Sequence, residues 1–249
     1  MINKVDYSIS QMFHKLYVWG GEIANTFMKG ISFIAEAGIL FLLIGFICVL
    51  FKRSRKIGAT ILLAVALGFL FTNLILKNAI GRARPFENMT SDYYKWWLDA
   101  GGTHESGYSF PSGHTTATTA FAVALFFTTN KKYSWPILFL PIAMACSRIY
   151  LMVHFFTDCV GGLIVGSLCA TIAYIIVVLI YRSKLKLFVW AKELELFKTK
   201  KKVPNGVGDM AESASSKEEC TDYIYVTEAE EKKSSLSDIE DASKTDQDK

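Results

Sequence analysis

Apolar residues in this chain come in long blocks rather than in alternation. Residues 31–51 are 21 positions with one charge, Glu36. Residues 57–76 are 20 positions with none, and residues 160–181 are 22 positions with none. A helix that crosses a bilayer needs about 20 mostly apolar residues. Two further blocks are shorter. Residues 115–129 reach that length only if their helix begins near Ser112, and residues 137–153 carry Arg148 near their end. The pattern predicts an all-α, integral membrane helical bundle of five transmembrane helices, or six if the N-terminal stretch also crosses.

That N-terminal stretch reads differently. Residues 8–29 mix apolar positions with His14, Lys15, Glu22 and Lys29. Each charge at the bilayer centre costs about 2.5–3.5 kcal/mol on insertion scales. An amphipathic helix lying in the interface fits this pattern better than a span. It lacks the form of a cleavable signal peptide, because the apolar stretch comes late.

Composition changes the picture only when it is divided. The 249 residues are 51% hydrophobic and 20% charged, with a net charge of +4. Residues 1–202 carry +12 and residues 203–249 carry −8. The acidic end is rich in Ser, Thr, Asp and Glu and reads as a disordered tail that cannot bury enough apolar surface to fold. Four regions are expected: an interfacial helix over 1–30, a transmembrane domain over 31–185, a basic juxtamembrane segment over 186–202 and the acidic tail over 203–249. Neither charge block has the footprint of a nucleic-acid binder. The five cysteines show no CxxC spacing, so neither a disulfide framework nor a metal knuckle is expected.

Basic loops orient the bundle. Lys52, Arg53, Arg55 and Lys56, then Lys131 and Lys132, then Arg182, Lys184 and Lys186 fall on one side if there are five spans. Positive loops stay cytoplasmic. The tail is then cytoplasmic as well, with any partner for it unknown. The opposite, extracytoplasmic side receives residues 77–114, the turn near 148–158 and the N-terminal helix.

Cations on that outer side need a reason of their own. Lys77, Arg82 and Arg84 close the second span; lipid headgroups or a specific anion would each account for them. Arg82 is read as touching substrate or headgroup. Pro111, Ser112, Gly113 and His114 open the third span, where free N–H groups and the helix dipole favour an anion. Arg148, His154 and Asp158 follow. Asp158 lies four residues after His154, which on a helix puts both on one face. A carboxylate on the far nitrogen of an imidazole fixes its tautomer and raises its basicity. Three cations, a helix start, two histidines and one acid make an inventory for chemistry on a phosphate. Phosphoryl transfer is mostly positioning and charge stabilisation.

These residues also carry a resemblance. KNAIGRARP from Lys77 to Pro85 fits K-x6-R-P, PSGH from Pro111 to His114 fits the second motif, and SRIYLMVHFFTD from Ser147 to Asp158 fits S-R-x5-H-x3-D. In this order they are identified as the signature of the type 2 phosphatidic acid phosphatase superfamily, over roughly residues 31–181. The resemblance implies a plasma-membrane lipid phosphatase of the small bacterial type. Such an enzyme would remove the terminal phosphate of a lipid (di)phosphate such as undecaprenyl diphosphate, phosphatidylglycerophosphate or phosphatidic acid. His154 would be the nucleophile, forming a phosphohistidine, with Asp158 orienting it and His114 handling the leaving-group proton. Lys77, Arg84 and Arg148 would grip phosphate with Ser112 and the Gly113 N–H. No cofactor and no metal are implied. A phosphotransferase using the same site, or a silent phospholipid-binding scaffold, are the alternatives.

Overall fold

The structure is a computed structural model that describes residues 2–34 and 38–182. Glu36, the segment 186–202 and the tail 203–249 lie outside the described residues. Every element among the described residues is helical.

Among the described residues the principal helices are α1 (Ile2–Ile34), α2 (Ile39–Leu50), α3 (Arg55–Ile80), α4 (Asp92–Asp99), α5 (Gly113–Thr128), α6 (Phe139–Tyr150) and α7 (Phe156–Arg182). The amphipathic stretch expected over 1–30 is helical through Ile34 but bent at Gly21, where φ is 53°. Glycine adopts that left-handed conformation without the Cβ penalty other residues meet. Residues 31–51, read as one block, are therefore divided. Their first four residues end α1, and α2 begins only after Gly38, at φ 69°.

Among the described residues two helices, α3 and α7, are long and apolar enough to cross a membrane; α2 is a shorter apolar helix of 12 residues. Only 33% of the most apolar window of α3 and 28% of that of α7 is buried. A soluble core helix would bury its apolar surface, whereas Leu43, Phe46, Ile47, Phe69, Leu74, Ile164, Leu168, Ile175 and Leu179 are all exposed. That distribution is the one a lipid-facing bundle needs.

Packing centres on α5, which lies along α7 and α3, while α2 covers α3 and α1 crosses α6. Small residues let the backbones approach, as in membrane helix pairs. A Cβ on Gly166 would come within 2.6 Å of the Thr116 carbonyl oxygen, and one on Gly162 within 2.9 Å of that of Ser112. Phe41, Ile61, Ala64, Phe121, Met144 and Ala170 fill the space between the helices. At one end of the bundle a second cluster joins α1 to α4 and to the turn after α6, through Phe13, Phe86, Tyr150, Leu151 and Val153. His14 stacks on Trp96 at 5.1 Å, and Tyr93 meets Phe155 edge-on at 5.3 Å. The α4 aromatics thus clamp α1 to the loops.

Candidate active site

The three sequence motifs converge at that same end. Each reaches it by a local device. The last part of α3, Leu70–Leu76, is π-helical. This wider winding re-phases the helix just before Lys77, the kind of local distortion often found at functional sites. Lys77 Nζ lies over the start of α5, 3.9 Å from where a Gly113 Cβ would stand.

Ser112 is the N-cap of α5 and is fully buried. Its Oγ accepts from Thr115 N–H at 3.5 Å and from Thr115 Oγ1 at 3.0 Å. Capping holds the first turn in register, so the Gly113 and His114 positions are set by the helix itself.

After α6 the chain turns sharply through Leu151, Met152 and Val153, with Met152 at φ 53°. That turn delivers His154 just ahead of α7, not on it. The spacing argument predicted one helical face for His154 and Asp158. The two meet by a different route, an N-terminal cap. Asp158 stands in the first turn of α7 and reaches back to accept the Phe155 N–H at 2.9 Å, the return half of a capping box. Its Oδ2 also accepts from Ser109 Oγ at 2.5 Å and lies 3.5 Å from His154 Nδ1. His154 Nε2, on the other edge of the ring, is buried with no hydrogen-bond partner among the described residues.

Burial pushes the His154 imidazole down, to about 4, against the upward pull of its contact with Asp158; Arg148 and Arg84 push the same way as burial. The ring is therefore neutral near pH 7. With Asp158 accepting at Nδ1–H, the free lone pair sits on Nε2, the tautomer a nucleophile requires.

The cations surround this ring. Arg84 is 3% exposed and donates to the carbonyls of Gly107 (2.8 Å), Ser106 (2.9 Å) and Val153 (3.2 Å). These bonds lock its guanidinium in place. Arg148, 1% exposed, donates to Ser32 Oγ and to Glu105 Oε1, while its Nε has no partner among the described residues. Arg84 Nη1 reaches Glu105 Oε2 at 3.2 Å, and His114 Nδ1 stands 3.7 Å from Glu105 Oε1. The Glu105 carboxylate thus lies between both arginines and His114, where an anion belongs. Burial alone would raise its pKa; Arg148, helped by His114, His154 and Arg84, outweighs burial and holds it at about 2.

Lys77, Arg84, Ser112, Gly113, His114, Arg148, His154 and Asp158 therefore share one site. The PAP2 superfamily pattern matches residues 57–182, half of the chain. The chain belongs to the PAP2 superfamily. It is similar to the undecaprenyl-diphosphatase of Sulfolobus acidocaldarius, 30% identical over 119 residues that cover 47% of this chain and 54% of the relative. It is also similar to phosphatidylglycerophosphatase B of Bacillus subtilis, 33% identical over 58% of this chain and 70% of the relative. The chain spans about half the length of several curated relatives it matches. Among solved structures it resembles the transmembrane PAP2-type phosphatidylglycerolphosphate phosphatase of Bacillus subtilis. That match has a TM-score of 0.54 and 25% identity, over 72% of this chain and 89% of that one.

In this PAP2 chain, residues that the motifs do not name also contact the site. Ser109 and Glu105 come from the loop before α5, and Asp6 comes from α1. Arg82, read as a headgroup or substrate contact, instead donates to Asp158 Oδ1 at 2.5 Å, Thr157 Oγ1 at 2.6 Å and Asp6 Oδ2 at 2.7 Å. One sequence signal pointed at Glu105: it is the only acidic residue between Asp99 and Asp158. Asp6 had none, since only folding brings it within reach of α7.

Proposed function

We propose that this protein is an integral membrane lipid phosphatase that cleaves the terminal phosphate of a lipid (di)phosphate through a phosphohistidine on His154. One observation carries this reading above the others. His154 Nε2 is buried with no hydrogen-bond partner among the described residues, with Asp158 behind the ring and Arg84 and Arg148 beside it.

In the first step the Nε2 lone pair forms a P–N bond while the bond from phosphorus to the leaving oxygen breaks. His114 gives that oxygen its proton. The imidazole becomes a phosphoimidazolium, and the Asp158 carboxylate stabilises its Nδ1–H. Lys77, Arg84 and Arg148 hold the phosphoryl oxygens, joined by the Ser112 hydroxyl and the Gly113 N–H. In the second step water attacks phosphorus, His114 takes the water proton, and the P–N electron pair returns to Nε2. Three fixed cations supply the charge stabilisation that phosphoryl transfer demands, so the proposed chemistry is metal-independent.

The proposed topology has five spans with the site on the extracytoplasmic side of the plasma membrane. A site at the membrane edge lets the lipid tail stay in the bilayer while its phosphate reaches the cations. An outward site favours a polyprenyl diphosphate such as undecaprenyl diphosphate, whose diphosphate is released on that face. The name of the Sulfolobus relative supports the same class.

The test is a substrate panel on detergent-solubilised protein, comparing polyprenyl diphosphates with phosphatidylglycerophosphate and phosphatidic acid in excess EDTA. Phosphate release with EDTA present is expected, and loss of activity on chelation would overturn metal independence. His154→Ala should lose both turnover and covalent phosphate labelling. Retained labelling would place the nucleophile elsewhere.

A further inference from the structure

The N-terminal helix contributes a buried carboxylate to the edge of the site. Asp6 is 1% exposed, on a helix otherwise rich in exposed residues. Its Oδ1 accepts from Thr157 N–H at 2.9 Å, and its Oδ2 accepts from Thr157 Oγ1 at 2.9 Å and from Arg82 Nη2 at 2.7 Å. Thr157 N–H is one of the free donors at the start of α7. Asp6 therefore caps α7 from a different helix, some 150 residues away in sequence.

Arg82 joins that cap to Asp158. Its guanidinium binds Asp6 through one nitrogen, and Asp158 Oδ1 and Thr157 Oγ1 through the other. It also stacks on the Phe155 ring, 4.0 Å from the centroid. Phe155 in turn is the residue between His154 and α7. Asp158 therefore has one oxygen fixed by Arg82 and the other by Ser109 and Phe155 N–H, leaving a single direction in which it meets His154.

We propose that Arg82 and Asp6 are positioning residues: Arg82, anchored by Asp6, aims the Asp158 carboxylate at His154 and does not itself hold substrate phosphate. This rests on the reading of His154 as nucleophile. The geometry separates Arg82 from the cradle cations. Its guanidinium already meets three protein oxygens, two of them on buried carboxylates, so little of its charge is free for a phosphate. The competing role is an anion contact in the cavity of about 760 Å3 that Arg82 lines with Lys4, Tyr7, Tyr93 and Phe155. Arg82→Gln removes the charge, and Asp6→Asn keeps an oxygen for Thr157 N–H while removing the anchor's charge.

Two probes distinguish the roles in the detergent-solubilised full chain by titration calorimetry. Inorganic phosphate reports the cradle alone. Orthovanadate accepts the Nε2 lone pair as a fifth ligand to vanadium, with no bond broken, so it reports the aim of His154 as well. The expected result is unchanged phosphate affinity in both variants. Vanadate affinity should fall by about tenfold or more in Arg82→Gln, the scale of a charge-assisted hydrogen bond, and by less in Asp6→Asn. With a turned-over substrate, kcat should fall at constant KM.

Equal loss of phosphate and vanadate affinity would overturn the proposal and make Arg82 a cradle cation. No loss of either would overturn it too, leaving the network as a helix cap only. If Arg82→Gln does not fold, Asp6→Asn decides alone by the same comparison. His154→Ala is the control. If it binds vanadate as tightly as the unaltered chain, the nucleophile reading falls and this inference falls with it. If it weakens vanadate while the two variants do not, the inference alone is lost.

Discussion

Glu105 shows how much a single residue can alter the reading of a site. Its carboxylate sits on the two arginines that are proposed to hold phosphate, and beside the proposed acid His114. Any incoming phosphate must displace it or share its partners. Glu105→Gln should therefore tighten competitive inhibition by inorganic phosphate by about tenfold, since a hydrogen bond to a charged group contributes about 1.5–3 kcal/mol. A weaker inhibition instead, with lower kcat, would mean that Glu105 works with His114 on the proton. The same residue bears on acid behaviour. Its folded pKa is depressed to about 2, so its ion pairs contribute stability above the usual carboxylate range and lose it as pH falls toward 2. The role proposed for His154 is lost earlier. A nucleophile must be neutral, and the folded value of about 4 sets where protonation removes the His154 lone pair. The acid limb of a kcat/KM profile that belongs to His154 should therefore fall as pH drops through about 4. A fall centred near 6.5, the value of a solvated imidazole, would contradict the buried, desolvated setting of His154.

At the scale of elements, the site depends on how closely α5 and α7 approach. Helix α5, with its N-cap Ser112, carries Gly113 and His114 and α7 carries Asp158, so the glycine contact between them sets a distance within the proposed site as well as a packing one. A Cβ on Gly166 would meet the Thr116 carbonyl oxygen and Thr119 Cβ at 2.6 Å. The first of these is backbone and cannot swing aside. Gly166→Leu should cost about 1–3 kcal/mol through overpacking, read as a lowered Tm in detergent, and should reduce activity as well. Gly30→Leu is the contrast. Among the described residues nothing lies within 4 Å of its Cβ position, so it should leave both nearly unchanged. If Gly166→Leu is tolerated equally well, the close contact of α5 and α7 does not control the site.

The whole molecule raises the question of sidedness. The site, α1 and α4 share one end of the bundle through Asp6, Arg82 and the stacked aromatics. The basic positions Lys131 and Lys132 belong to the loop between α5 and α6, at the other end of α5 from Ser112–His114. In a chain freed of its native cysteines, Asn88→Cys should react with a membrane-impermeant thiol reagent on intact cells. Lys132→Cys should react only after permeabilisation. The reverse pattern would turn the proposed topology over, with the site facing the cytoplasm.

These scales also mark where sequence and structure divide the work. The apolar blocks, the three motifs and the predicted all-helical architecture are local facts, readable because hydrophobic run length and helix-start residues act over a few neighbours. Hence Lys77, Arg84, Ser112, Gly113, His114, Arg148, His154 and Asp158 could all be named in advance, and they do come together. What the sequence could not carry is the geometry that links distant segments. The capped turn that joins His154 to Asp158 and the break of residues 31–51 at Gly38 are local but leave no mark in residue spacing, whereas Glu105 on the arginines and Asp6 behind Arg82 depend on contacts 21 to 76 residues apart. Burial alone decides those. A carboxylate taken out of water must find a cation or an N–H, and only the folded chain determines which partner stands within reach.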